Sequence, residues 1–494
     1  MNIYNLKGKF ATIYLTFMTV YLIIREVTPL QFLIQSTVVS TVVFLFGFAV
    51  IIFDLLTDAN CLKGRAVDFF AAFIIICTIS CIINYKYGIT DNIKCMAAMV
   101  LEYFVFFSAG SQNARKKNLK IILNALIITA FVFIFISVLM YLFSIDYQIL
   151  TSRTAGDQGF DTTYGRLWGV FADPNVISYI SLVSFFASFY LMYNQKKLWS
   201  YILYGINALF QMIFIMLSLS RSALLIMIAI PIISSIYPFI SFLKKDIKKA
   251  LCSILVTVLL SCTLYGFYYG LNLSMPFVKS AILKNVSVDG RKAIVTAFDN
   301  FYLSGGVKIL NIEDNHTPEG ENELPTDVEE IVRKDNKDDY SNGRFARWNG
   351  GIQVFKTTPV FGTSPRNAVA IAKEKTPDTV MGKYGWVTHC SYLEIPVCSG
   401  ILGTVALFGA FIFVAVSFIK SSLKRAFNHH TYIVFLSFIT IAAGVFFVSD
   451  VFFVFTINSL LFFFLFGYIY GDSQDDKNGI IFNFFNIIKG KLKK

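Results

Sequence analysis

Apolar stretches near 20 residues long recur from one end of this chain to the other, and no other feature constrains its folding so strongly. A helix of about 20 apolar residues crosses about 30 Å of hydrocarbon. Such runs fall at roughly 10–24, 31–56, 67–85, 93–110, 119–145, 175–193, 199–218, 222–243, 250–270, 389–419, 431–449 and 451–470, about twelve in all. The expected fold is an all-α polytopic membrane protein, with a large, partly helical extracytoplasmic loop between the ninth and tenth spans. Composition agrees: 56% of the 494 residues are hydrophobic, only 15% are charged, and the mean hydropathy is +0.63. That balance excludes a soluble enzyme, a disordered chain and a disulfide-stapled secreted module.

The formal charge of +12 suggests nucleic acid until its bearers are located. Lys63, Arg65, Arg115, Lys116, Lys117, Lys196, Lys197, Lys244, Lys245, Lys420, Lys424 and Arg425 all fall on alternate connections, together with both ends of the chain. Cationic loops stay on the cytoplasmic side. The excess is therefore read as topology, with both termini cytoplasmic and no nucleic-acid partner. Residues 1–271 are read as spans one to nine, with an outer loop near 146–175. Residues 272–388 form the large outer loop, 389–470 hold the last three spans, and 471–494 form a basic amphipathic tail. Within the large loop, 311–340 is acidic and nearly devoid of large apolar residues, so it reads as a solvated tether. His316, Glu321 and Glu323 belong to it. The eight cysteines suggest no disulfide framework.

No Walker loop, G-x-G-x-x-G turn, H-E-x-x-H helix or paired C-x-x-C is present. What remains is a set of arginines on the expected outer side, each beside aromatic or turn residues. Arg166 lies in YGRLWGVFADPN, Arg221 in SLSRSALL, Arg291 in VDGRKAIV, and Arg344 and Arg347 in NGRFARWNGG with Trp348. Arg221 stands between two apolar runs on the side where cations are disfavoured. A guanidinium fork suits phosphate, but an interfacial arginine also snorkels to lipid headgroups, and position alone leaves both readings open. His389, at the start of the tenth span, suits a general base near neutral pH and equally a plain backbone donor. Glu102, Asn207 and Gln211 lie inside spans and read as interhelical hydrogen-bonding residues.

The order of these elements resembles the bacterial O-antigen ligase/polymerase superfamily. Pro174-Asn175 follows an outer loop, and Ser220-Arg221 forms a turn between spans. Arg344-x-x-x-Trp348, Pro359-x-x-Gly362, His389, Gly400 and Gly403 then follow in and after the large loop. Two features depart from the pattern: Ser364 stands where a second glycine is common, and the acidic insert is unusual. The resemblance implies a metal- and cofactor-independent inverting glycosyltransferase in the cytoplasmic membrane. Its donor would be a glycan on undecaprenyl pyrophosphate and its acceptor a second lipid-linked glycan. The products would be O-antigen, capsular polysaccharide or exopolysaccharide, with a chain-length regulator and a flippase as pathway partners. It implies catalytic roles for Arg221, Arg344 and His389, and substrate contacts from Arg166, Arg291, Arg347 and Trp348. The polymerase is the expected member. A ligase acting on a final acceptor is the nearest alternative, and a lipid-linked-sugar flippase is the rival from another class.

Overall fold

The computed structural model describes residues 3–34, 36–150, 155–161, 165–193, 195–309, 341, 343–448, 451–473 and 478–492. The acidic insert lies outside them, with His316, Glu321 and Glu323. The chain is an all-α polytopic membrane protein carrying one small sheet. Ten helices among the described residues are long and apolar enough to cross a membrane. They are α1 (Lys7–Ile24), α2 (Val38–Leu56), α3 (Arg65–Ile83), α4 (Thr90–Ser111), α5 (Arg115–Leu142), α6 (Pro174–Tyr193), α7 (Leu198–Leu217), α8 (Arg221–Leu243), α9 (Ile247–Asn285) and, beyond the large loop, α14 (Ser391–Ser422). Between α9 and α14 come α10 (Val288–Ser304), α11 (Arg344–Thr357), α12 (Ala368–Lys375) and α13 (Val380–Tyr384). The shorter apolar helices α15 (His429–Val445) and α16 (Ile457–Asp472) follow, then the tail helix α17 (Ile480–Leu492).

Both ends of the chain lie on one face. Lys7 pairs with Asp54 at 2.6 Å and with Asp58 at 3.2 Å, and Lys489 donates to the Thr57 carbonyl at 3.0 Å. Asp68 accepts the first N–H groups of α17 from Ile480 and Ile481 at 2.8 and 3.1 Å. These are the donors a helix start leaves unsatisfied, so the amphipathic tail is fastened to the bundle by a carboxylate from α3. Ten crossings already return the chain to its starting face, and the shorter apolar helices α15 and α16 preserve that as an out-and-back pair. Each is short because the chain leaves helical geometry between them, at 446–448 and 451–456. The capping box of Thr456 and Ser459 restarts the helix.

The opposite face carries the elaborations. Strands β1 (Asp146–Leu150), β2 (Ala155–Asp161), β3 (Arg166–Gly169) and β4 (Lys308–Ile309) form an antiparallel sheet in the order β3-β2-β1-β4. Helix α10 packs beside it, with Tyr147 donating to Asp299 at 2.6 Å and Tyr302 to Gln158 at 3.2 Å. Helix α9 runs past Asn272, where the apolar run weakens, to Asn285. Its 39 residues span about 58 Å, nearly twice the hydrocarbon thickness, so its later part stands clear of the lipid.

The loop 359–364 is threaded into a break in α14. Gly400 takes φ +64°, ψ −167° inside that helix. Ile401 and Leu402 donate instead to the carbonyls of Pro359 and Val360, at 2.8 and 3.3 Å. The carbonyls of Val397 and Cys398 accept from Thr363 and Ser364 at 2.9 Å. Broken helix is tolerated at membrane depth only where its backbone groups are satisfied in this way. Asn84 on the α3 side donates to the Gly362 carbonyl at 3.0 Å, and Asn367 to the Asn84 carbonyl at 3.1 Å. A Cβ on Gly362 would sit 2.4 Å from the α14 backbone, so only glycine permits this approach.

Inside the bundle, Asn207 donates across to Ser188 of α6 at 2.8 Å, the interhelical bonding expected of it, whereas Gln211 donates to Asn207 within α7 at 2.9 Å. Glu102 differs. It is buried in a π-helical turn, Glu102–Phe107, without a hydrogen bond of ordinary geometry.

Candidate active site

The arginines are placed by helix starts and by the irregular segments between helices. Arg166 opens β3 and is 7% exposed. Its Nε donates to the Ser218 carbonyl at 3.1 Å, one of its terminal nitrogens lies 3.3 Å from the Asn175 side-chain oxygen, and its plane lies over Trp168 at 5.4 Å. The Pro-Asn element and the Ser-Arg turn therefore meet on Arg166. Ser220 caps α8, accepting from Ala223 N–H, and so fixes Arg221 at the first helical position with an exposed side chain. The neighbouring Ser222 lies 2.5 Å from the Tyr179 phenol of α6, and Ser178 lies 2.8 Å from Ser218.

The other half comes from the large loop and from the interruption between α15 and α16. Arg344 begins α11 behind Gly343, at φ +74°, and lies over the Phe447 ring at 5.0 Å. Trp348, one turn on, packs edge-on against Phe446 at 5.4 Å, and Arg347 lies over Trp386 at 4.7 Å. Burial, together with the charge of Arg344, pulls the Arg347 pKa down. His389 lies between Trp386 and α14 in the left-handed region, at φ +47°. Ser391 anchors that turn, with its N–H donating to the Val448 carbonyl at 2.9 Å and its hydroxyl to the same oxygen at 2.8 Å.

Tyr179 joins the halves. Its ring packs on Gly444, at the end of α15, and its hydroxyl feels the charges of Arg344, Asp173 and Arg166. Arg344 also acts on the Cys390 thiol beside His389, although burial is what chiefly raises that thiol's pKa. The structure thus gathers Arg166, Arg344, Arg347, Trp348 and His389 around the starts of α6, α8, α11 and α14, and places the Arg221 backbone there through its neighbours Ser218 and Ser222. Arg291 is not brought to this group by any described contact. Its helix packs on β4 and on residues 28–30, and its own N–H donates to Ser287. Tyr179, Asp173 and Phe447 are members that sequence reasoning missed; Asp173 alone had a signal, being adjacent to Pro174-Asn175.

Chemically the region is a concentration of donors. Three guanidiniums stand beside helix starts, where the backbone dipole is positive. The Nε–H of Arg347 and the indole N–H groups of Trp168 and Trp348 are buried with no acceptor among the described residues. Buried donors in native proteins are normally satisfied, so these orphans, one beside Arg166 and two on α11, are candidate contacts for a ligand rich in acceptors. Residues 206–408, spanning Arg221, Arg344, His389 and the broken helix, match the model of the O-antigen ligase family. The match supports membership of the O-antigen ligase/polymerase superfamily. With the ten apolar helices, the match points to a multi-pass bacterial membrane protein of ligase/polymerase type, a family that implies glycosyltransferase-like chemistry. No curated protein matches it.

Proposed function

We propose that this member of the superfamily is a polymerase that joins undecaprenyl-pyrophosphate-linked repeat units on the outer face of the bacterial cytoplasmic membrane. Supporting this is the meeting of Arg166, Arg221 and Arg344 with the acceptorless donors of Trp168, Arg347 and Trp348, which suits a pyrophosphate. In the proposed step, an acceptor hydroxyl oxygen attacks the anomeric carbon of the donor glycan. The bond from that carbon to the pyrophosphate oxygen breaks, with inversion. His389 orients the hydroxyl and takes its proton, while Arg221 and Arg344 hold the charge that appears on the leaving pyrophosphate. Arginines that neutralise a good leaving group let the step run without a metal or a nucleotide.

The large loop is taken as extracytoplasmic, because the basic connections lie on the face of the two termini. Polymerase is preferred to ligase because Ser364 and the acidic insert depart from the common pattern, as suits an enzyme recognising one particular repeat unit. Cells lacking the protein should export single repeat units with no long chains. Long polymer left on undecaprenyl pyrophosphate in those cells would make the protein a ligase. Movement of lipid-linked sugar by the reconstituted protein, with no new glycosidic bond, would make it a flippase.

A further inference from the structure

Beside the arginine cluster lies a cavity of about 680 Å3, a volume usual for a site that encloses a small molecule or a few sugar rings. Its walls come from parts of the chain far apart in sequence: the end of α1 and the turn after it, the first halves of α2 and α4, Arg366 just past the threaded loop, and residues 453–455 before α16. The lining is of two kinds. Tyr21 and Phe453 present aromatic rings, while Arg25, Glu26, Gln31 and Arg366 present planar polar groups. A pyranose ring requires both. Its C–H faces pack on apolar rings, and its hydroxyls donate and accept at once, so they pair with side chains that accept and others that donate.

Cavity and cluster share a wall. The Glu26 carbonyl accepts the Ala172 N–H at 2.9 Å, and Thr28 donates to the Val170 carbonyl at the same distance. Arg25 is fixed by the Phe455 carbonyl at 2.7 Å. The Asp173 carboxylate acts both on Glu26, in the cavity, and on the Tyr179 hydroxyl, in the cluster. The two sites differ in charge pattern, however. The cluster is built from arginines and orphan donors, whereas the cavity mixes Arg25, Lys94 and Arg366 with Glu26 and Asp91. Opposed charges side by side suit an uncharged sugar, whose hydroxyls both donate and accept.

Resting on the transferase reading, we propose that this cavity is the acceptor subsite, holding the hydroxyl-bearing glycan end that attacks the donor. Gln31 and Arg366 hold that end, and Glu26 positions it. The test uses full-length protein in lipid nanodiscs. The probe is the repeat-unit oligosaccharide freed from its carrier by mild acid and tagged at its reducing end. Binding of that probe is measured alongside transfer kinetics with the lipid-linked donor. Gln31→Ala and Arg366→Ala should each weaken oligosaccharide binding and raise the acceptor KM about tenfold, as loss of a charge-assisted or buried hydrogen bond does. Their kcat and donor KM should stay near wild type, and Arg366→Lys should recover part of the loss. Unchanged oligosaccharide binding in both alanine variants overturns the subsite, as does a matching rise in donor KM. Transfer with a cavity-insensitive acceptor KM removes the subsite and leaves the transferase standing. Cavity-dependent oligosaccharide binding without any glycosidic bond formation does the reverse.

Discussion

The Tyr179 phenol stands 2.5 Å from the Ser222 hydroxyl, which fixes the start of α8 against α6 one residue beyond Arg221. Through Tyr179 the Ser-Arg turn is held in register with the α15 terminus, and so with Phe447 and Arg344. Arg221→Ala and Arg344→Ala should each lower kcat by two to three orders of magnitude, as loss of one preorganised charge-stabilising donor does. Lysine at either position should recover only part, because the fork is lost. Arg166→Ala should add a fall in Tm, since that side chain also satisfies the buried Ser218 carbonyl. Transfer assays and thermal melts on the same preparations read both effects.

His389 separates chemistry from stability. A non-glycine residue at φ +47° carries strain of about 1–2 kcal/mol, which glycine relieves. His389→Gly is therefore expected to melt no lower than wild type while losing transfer as fully as His389→Ala. Near-normal transfer by either variant would remove the imidazole from the step.

Ser364 makes the same point in the threaded loop. It is fully buried at φ +70°, and its hydroxyl has no hydrogen-bond partner among the described residues. The turn thus keeps the left-handed geometry that the common glycine would take without strain. Ser364→Gly should raise thermal stability, by about 1–2 kcal/mol on the backbone term. Gly362→Ala should lower it sharply through collision with Cys398 and Ser399. Melting curves in detergent decide both.

Glu26 gives the proposed acceptor site a pH signature. Burial chiefly pushes its carboxyl up to about 7, with Arg25 pulling it down and Asp173 pushing it further up. The other charged groups lining its cavity are Asp91, Lys94 and Arg366. Above about pH 7 the carboxylate accepts hydroxyl hydrogens more strongly, so the acceptor KM should fall as pH rises through that value. Glu26→Gln should flatten the profile. The raised pKa also favours folding most at pH below the ordinary 4.5, an advantage lost as pH rises through about 7. Glu26→Gln should remove that dependence too.

Orientation is tested at Ser341, immediately before α11. Ser341→Cys in whole cells should react with an impermeant maleimide added outside, above the background of the native cysteines. Reaction only after the membrane is opened would invert the scheme and move the proposed chemistry to the cytoplasmic face.

The crossings were legible because hydrophobicity over 20 residues is a strong, local signal. The sheet was not. Strands β1 to β3 carry little of the β-branched alternation that marks a strand, β2 being mostly glycine, aspartate and glutamine, and β4 lies some 140 residues further along the chain. The division of 431–470 into two spans was legible in the sequence, but not that 446–448 and 451–456 leave the helix, because the stretch is apolar almost throughout. Within the site, Arg166, Arg221, Arg344 and His389 stood out as polar residues in unusual company. Tyr179 and Glu26 did not: a tyrosine inside a span and a glutamate just past one become distinctive only when distant segments close around them.

The break at Gly400 has a consequence for biogenesis and for exchange between relatives. When the α14 segment enters the bilayer, the amides of Ile401 and Leu402 have no partner in their own helix. The strip that supplies one, Pro359 to Ser364, has already left the ribosome. The large loop is thus part of how this crossing matures, rather than cargo attached to a finished bundle. A graft that imports a foreign loop alone would strand those amides in lipid. The smallest transplantable module is the loop together with α14 and the α3–α4 corner that grips Gly362 and Asn367.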